Sequence, residues 1–351
     1  MNIIASGQMG PGTFEAKFIP LSNVQKINKI FVVRKGYGPP INKLNYIILP
    51  RICNYSLVSV LVIPFFLIYF AKKHNAKLIL SYHVIPHSFF AFFASLISKI
   101  PFTISQTGLL IQKMSDKKIF GWLIVYIFKK ALLVNVPGTT SKSHWIKKGV
   151  KSSKIKILHS TISTDLFLNT KNKKEFDFIF MGRLAPEKNI ELIIQALVLI
   201  KNDGIETNMV IVGDGPERKK LEALVTSNNL STNVTFVGFQ KNVVTWLNKA
   251  EIFVMSSITD AMPTALMQAM SCELICISSE VGNISDLLIH KENGFLYKSN
   301  DLETLVKLMK QTLKRWNDYS ILRKDGRDAV IKNHSHNCAI TKWEALINHF
   351  E

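Results

Sequence analysis

FIFMGRLAPEKN, residues 178–189, reads as the end of a buried strand, a tight turn at Gly182 and a helix opened by a Pro-Glu pair. Arg183 and Lys188 flank that pair. Two cations beside a helix N-terminus make an anion site, and a diphosphate is an anion of matching size. The same residues also read as a strand-loop-helix junction whose basic side chains face solvent. This segment alone does not choose between the two.

The strand-turn-helix grammar of this stretch recurs along the chain. Short apolar runs rich in β-branched residues lie at 176–181, 208–212, 234–237, 252–255 and 274–278, with helical-period segments between them. An earlier series lies at 1–5, 30–34, 78–82, 102–105, 132–136 and 155–158. Alternation of this kind predicts α/β architecture with parallel sheets built from βαβ units. Two series predict two tandem Rossmann-like domains facing across a cleft, with ligands at the carboxyl ends of the strands. The expected division is 1–167 for the first domain, a polar linker LNTKNKK at 168–174, 175–335 for the second, and a C-terminal helix at 336–351 packing back on the first.

Charge separates the halves. Of 44 Lys and Arg and 25 Asp and Glu in 351 residues, positions 1–160 hold 22 basic and only 2 acidic side chains, Glu15 and Asp116. A half with a net +20 calls for an anionic partner. It has no RNP-type aromatic motif and no zinc-finger spacing, so nucleic acid is not expected. Its apolar runs favour lipid instead. The longest, YSLVSVLVIPFFLIYFA at 55–71, is short for a membrane span and carries Pro64, which predicts a buried or membrane-leaning helix. The four cysteines, Cys53, Cys272, Cys276 and Cys338, match neither a disulfide framework nor a zinc pattern and read as reduced thiols of a cytoplasmic protein. The first residues, MNIIASGQMG, lack the basic and apolar regions of a secretion signal.

Two further segments carry chemistry. IVGDGPERKKLE, residues 211–222, places Gly213 and Gly215 on the first two positions of a dinucleotide fingerprint, but Arg218 stands at the third. Asp214 and Glu217 suit a helix start and oppose a pyrophosphate. In residues 255–288, Ser256 and Ser257 end a strand, Asp260 follows in a loop, and Pro263 precedes a helix bearing Gln268, eight positions beyond Asp260. The pair either addresses two ends of one ligand or is a helix cap and a solvent-facing amide.

Taken together, the residues resemble the family 4 retaining glycosyltransferases of the two-Rossmann, GT-B type, within glycosyl transferases group 1. The likeness rests on G-R-x-x-x-E-K-N at 182–189, V-G-D-G-P-x-R-x-x-L-E at 212–222, V-x-F-x-G at 234–238, M-P-x-x-L-x-x-A-M at 262–270, V-G-x-x-x-D at 281–286 and N-G-F-L at 293–296. In the first half it is looser, carried by ILHSTISTDLF at 157–167 and a strand ending in His83. The resemblance implies a nucleotide-sugar donor held by Gly182, Arg183, Lys188, Gly213, Asp260, Pro263, Thr264, Ala265, Leu266 and Gln268. Arg183, Lys188, Asp260 and His83 are the implied catalytic set. Asp260 and Gln268 occupy the places of two family acids, so one keeps its charge and the other only its hydrogen bonds. Glu273, Ile275 and Asn283 depart from the usual Gly, Pro and Gly.

In the first domain, GQMGPGT at 7–13 is a flexible turn whose Gly10, Gly12 and Thr13 amides approach a phosphate or sugar. No D-x-D motif occurs, so no metal and no cofactor is expected. The implied activity is transfer of a sugar to a glycan or polyprenyl-diphosphate-linked acceptor in cell-envelope polysaccharide biosynthesis, such as lipopolysaccharide or capsule. The implied location is cytoplasmic, peripheral on the inner face of the membrane, against its anionic surface. The competing expectation is a non-catalytic GT-B subunit that binds a nucleotide sugar or a partner enzyme.

Overall fold

The computed structural model describes residues 1–7, 9–50, 56–82, 86–118, 120–171 and 173–348. The chain divides into two compact units, Met1–Thr161 with His336–Glu351, and Ile162–Ser335.

Among the described residues the first unit holds seven strands: β1 Asn2–Ser6, β2 Lys29–Arg34, β3 Leu44–Ile48, β4 Ala76–Tyr82, β5 Phe102–Ser105, β6 Leu133–Val136 and β7 Ile155–Ile157. They form one parallel sheet in the order β3-β2-β1-β4-β5-β6-β7. One face is covered by helices Ser56–Lys73, His87–Ser98 and Gly121–Lys130. The other is covered by helix Pro11–Asn23 and the C-terminal helix His336–Ile347, whose Ala339, Trp343, Leu346 and Ile347 pack with Phe14, Phe18 and Leu21. Both faces being covered explains why the inner strands are near-continuous apolar runs.

The second unit holds β8 Phe176–Met181, β9 Met209–Val212, β10 Val234–Gly238, β11 Ala250–Met255, β12 Ile275–Ser279 and β13 Phe295–Tyr297. These are also all parallel, in the order β10-β9-β8-β11-β12-β13. Helix Ile190–Asn202 packs on one face and helix Thr264–Ser271 on the other.

The sequence expectations missed β3 and β13. Strand β3 sits at the sheet edge with no fully buried residue, and β13 is only three residues long. The segment expected as the linker, 168–174, is tied to the second unit at Leu168 and Thr170. Phe167 is buried in the second unit's core, its carbonyl accepting from Ser271 Oγ at 2.8 Å and Arg327 Nη1 at 2.8 Å. Asn248 then clasps the chain, taking the Thr170 N–H on Oδ1 at 2.8 Å and donating from Nδ2 to the Leu168 carbonyl at 2.9 Å. Residues 56–71 of the long apolar run lie in the helix Ser56–Lys73, and among the described residues no helix is long and apolar enough to cross a membrane. Cys272 and Cys276 are buried free thiols, with the Cys272 thiol pushed up to about 12 by burial, while Cys53 lies outside the described residues.

Candidate functional site

In the second sheet the chain winds outward from β8 through β9 to β10, then crosses to β11 and winds the other way. The loops after β8 and β11 therefore leave adjacent strands toward opposite faces. This is the topological switch point, where open α/β sheets take their ligands.

The loop after β8 is built on close backbone approach. Gly182 N–H donates to the Val212 carbonyl at 3.0 Å, and a Cβ on Gly213 would lie 1.8 Å from the Gly182 oxygen. Likewise a Cβ on Gly215 would lie 2.3 Å from the Leu184 oxygen. The two glycines read as half a dinucleotide fingerprint thus have a packing reason: they let β9's loop lie directly on β8's. Arg218, at the position where the fingerprint needs glycine, donates to Asp214 Oδ2 at 3.0 Å and Glu222 Oε1 at 2.8 Å. The Gly215 N–H and then Arg218 hold the Asp214 carboxyl below the usual carboxylate range. That ion cluster serves the turn and the helix behind it.

Beyond Leu184 the chain makes a single helical turn, Pro186–Lys188, ended by Asn189 in the left-handed region at φ 48°, which Asn tolerates better than most residues. Strand β11 fixes this turn. Ser256 Oγ lies 3.0 Å from the Lys188 carbonyl and 2.8 Å from the Asn189 carbonyl, and Ile258 N–H donates to the Glu187 carbonyl at 2.9 Å. Lys188 Nζ then reaches Asp260 Oδ2 at 2.5 Å, both side chains being mostly buried. Arg183 is exposed at the start of the same loop.

The Asp260 loop is held from below. A Cβ on Gly282, which sits at φ 63°, would meet the Asp260 oxygen at 1.8 Å. Asn283 donates to the Ala261 carbonyl twice, from its backbone at 3.1 Å and from Nδ2 at 3.0 Å. Asn283 departs from the family's usual Gly, yet here it is a buttress. Helix Thr264–Ser271 starts from Pro263 with no capping side chain. Its first-turn amides, on Thr264, Ala265 and Leu266, lack partners within the helix and carry the positive end of its dipole. The Leu266 side chain is fully buried among Met262, Met267 and Met270, so only its backbone is offered to a ligand. Gln268 is half-buried one turn further on.

In the first unit, Gly10, Gly12 and Thr13 lie where β1 passes into helix Pro11–Asn23, also at a switch point, since β1 neighbours β4. A Cβ on Gly7 would come within 2.8 Å of Tyr82 Cβ, whereas Gly10 and Gly12 face open space. His83 lies outside the described residues. The sequence reading passed over His87, whose Nδ1 is 2.7 Å from Ser6 Oγ at the end of β1. Its only sequence signal is a His a few residues past a buried strand.

Residues 162–329, almost the whole second unit, match the family profile Glycosyl transferases group 1. The two-sheet architecture matches the crystal structure of Anabaena HepE in complex with UDP, with a TM-score of 0.80 over 99% of both chains at 15% identity. The chain is a glycosyltransferase with the GT-B fold, and its second unit is the part that matches the glycosyl transferases group 1 model. Among curated proteins, this glycosyltransferase is 21% identical over 290 residues to N-acetyl-alpha-D-glucosaminyl L-malate synthase of Bacillus anthracis, covering 79% of this chain and 75% of that protein. It is 30% identical over 217 residues to a Campylobacter jejuni alpha-1,4-N-acetyl-D-galactosaminyltransferase, covering 59% of each. The name of the latter states that it acts on a diphosphate-undecaprenol-linked glycan.

Proposed function

We propose that the chain transfers a sugar from a nucleotide sugar to a glycan or polyprenyl-diphosphate-linked acceptor in cell-envelope polysaccharide biosynthesis, with retention of anomeric configuration. The observation that carries this reading is the convergence of Arg183, Lys188, Asp260 and an uncapped helix N-terminus at one switch point. The names of the curated relatives support the same chemistry.

In this reading the donor diphosphate lies against Arg183, Lys188 and the amides of Thr264, Ala265 and Leu266. As the bond between the sugar C1 and the diphosphate oxygen breaks, negative charge builds on that oxygen. Fixed cations and amide dipoles placed there lower the barrier because they need no reorganisation. Lys188 is already paired with Asp260, so an incoming diphosphate draws the ammonium toward itself and releases the carboxylate for the sugar hydroxyls. Gln268 hydrogen-bonds the ribose. The reading is metal-independent, the leaving charge being met by these groups. The acceptor belongs to the first unit, with the Gly10, Gly12 and Thr13 loop among its contacts, and the enzyme works peripherally at the cytoplasmic face of the membrane.

A panel of nucleotide sugars incubated with membrane lipid extract and followed by mass spectrometry tests this. Release of a nucleoside diphosphate with matching gain of one sugar on a lipid is expected. Donor binding without transfer across the panel would favour the non-catalytic reading.

A further inference from the structure

Helices Ser56–Lys73, His87–Ser98 and Gly121–Lys130 pack side by side on one face of the first sheet. Their inner sides supply core residues such as Ile63, Leu67, Phe90, Ala94, Ile124 and Phe128. Their outer sides are apolar as well. Leu61, Phe65 and Tyr69 follow one another at four-residue spacing and are 69%, 65% and 59% exposed. The next helix exposes Phe93, Leu96 and Ile97, and the third exposes Trp122 and Tyr126. Phe92 meets Tyr126 edge-on with centroids 6.0 Å apart, so the second and third stripes adjoin. Scattered apolar side chains on a surface need no explanation, but a contiguous aromatic and aliphatic patch marks an interaction site.

The charge around the patch identifies its partner. Each of these helices follows a strand of a parallel sheet and runs back antiparallel to it, so all three C-termini gather at one edge. That edge carries Lys72 and Lys73, Lys99, and Lys129 and Lys130, all exposed. Lys73 Nζ lies over the Tyr69 ring at 5.7 Å and Lys130 Nζ over Tyr126 at 5.4 Å, so the ammonium groups border the apolar stripes. Asp116 is the single acid from position 56 to 132, and it is paired with Lys148 at 2.5 Å. A second copy docked face to face would set these lysines against their own kind with no carboxylates to answer them. A lipid surface with anionic headgroups matches both the apolar patch and its cationic edge.

We infer that this three-helix face docks on an anionic bilayer, its aromatic and aliphatic side chains entering the interface while the lysines engage lipid phosphates. The inference deepens the reading of a lipid-linked acceptor and rests on it for the use of docking, not for the surface itself.

Co-sedimentation of the full chain with phosphatidylcholine vesicles, with and without phosphatidylglycerol, tests it across a salt series. Wild type should bind the anionic vesicles more strongly, and salt should weaken this binding without abolishing it, since apolar insertion is unscreened. A triple variant, Phe65→Ser with Phe93→Ser and Trp122→Ser, should lose roughly tenfold or more in vesicle partitioning. Its circular dichroism and its binding of nucleoside diphosphate, a property of the other unit, should not change. No binding of wild type at low salt, or equal binding by the triple variant, overturns the proposal. So does a wild-type dimer that the triple variant dissociates while neither protein binds vesicles, which would make a second copy the occupant. Transfer to a short-chain, water-soluble acceptor separates the two readings. Vesicle binding without any transfer defeats the transferase reading alone, and transfer without vesicle binding defeats this surface alone.

Discussion

Lys188 Nζ stands 2.5 Å from Asp260 Oδ2, joining the loop after β8 to the loop after β11 across the switch point of the second sheet. Both ends are braced: the Lys188 backbone by Ser256, and the Asp260 backbone by close contact with Gly282. The pair is thus an organised part of the site, and removing either member has two effects. Lys188→Ala deletes a diphosphate contact and also leaves a largely buried carboxylate without its partner.

Arg183 gives the cleaner test. Its side chain is exposed, so Arg183→Ala should leave unfolding unchanged while costing about 1.5–3 kcal/mol in nucleoside diphosphate affinity, the range of a charge-assisted hydrogen bond. Lys188→Ala should lose a similar affinity and show a lowered denaturation midpoint as well. Calorimetric titration and urea unfolding of both variants separate these effects. Undiminished turnover in the double variant would remove the anion site from the mechanism.

Gln268 sits half-buried in the helix that begins beside Asp260. If its amide serves a ribose hydroxyl, Gln268→Glu should bind nucleoside diphosphate as well or better, because an ionised acceptor makes the stronger bond. Gln268→Ala should bind more weakly, by about 0.5–1.5 kcal/mol. Equal affinity across the three proteins would show that position 268 does not touch the nucleotide.

Glu273 closes the same helix. Leu274 N–H donates to the Ala269 carbonyl at 3.1 Å and Glu273 N–H to the Met270 carbonyl at 3.0 Å, a Schellman ending that puts Glu273 in the left-handed region at φ 58°. Glycine adopts this conformation without the steric cost of a Cβ. The side chain recovers part of that cost by accepting from Asn169 Nδ2 at 3.1 Å. Glu273→Gly should therefore stabilise the protein by roughly 0.5–1 kcal/mol, seen as a higher urea midpoint at unchanged slope. A lower midpoint would mean that the bond to Asn169 outweighs the strain.

Among the described residues, eleven of the thirteen strands are legible in the sequence, because parallel strands covered on both faces are written as apolar runs. The edge strand β3 and the short β13 lack that signature. Arg183, Lys188, Asp260 and Gln268 are each legible in the sequence as candidates, but the pairing of Lys188 with Asp260 is not. Lys188 and Asp260 are 72 positions apart, and only the parallel pairing of β8 with β11 brings their loops together. Local pattern does not give the packing role of single residues. Gly213, part of an incomplete dinucleotide fingerprint in the sequence, makes room for the Gly182 backbone, and Asn283, a departure from the usual Gly, carries two bonds to Ala261. A linker judged by polarity alone at 168–174 is held by Asn248 and continues from a buried Phe167, contacts that lie far along the chain.

Lys17 breaks the simple picture of a basic half whose cations all face outward. It lies on helix Pro11–Asn23 and is only 6% exposed, and burial lowers its ammonium from the ordinary 10.5 to about 8. Below pH about 8 the group is charged in both the folded and the unfolded chain, so the folded state bears the whole desolvation cost. Between about 8 and 10.5 the unfolded chain holds the proton and the folded chain does not, so this contribution to stability rises with pH and is complete near 10.5. Lys17→Met, similar in length and without charge, should accordingly be more stable than wild type at pH 7, on the order of 2–3 kcal/mol. That advantage should shrink steadily through the window from about 8 to 10.5. Urea midpoints of the two proteins at pH 7 and pH 10 check both the sign and the slope, since other titrating groups cancel in the difference. An advantage that stays constant with pH would assign the effect to packing rather than to the buried charge.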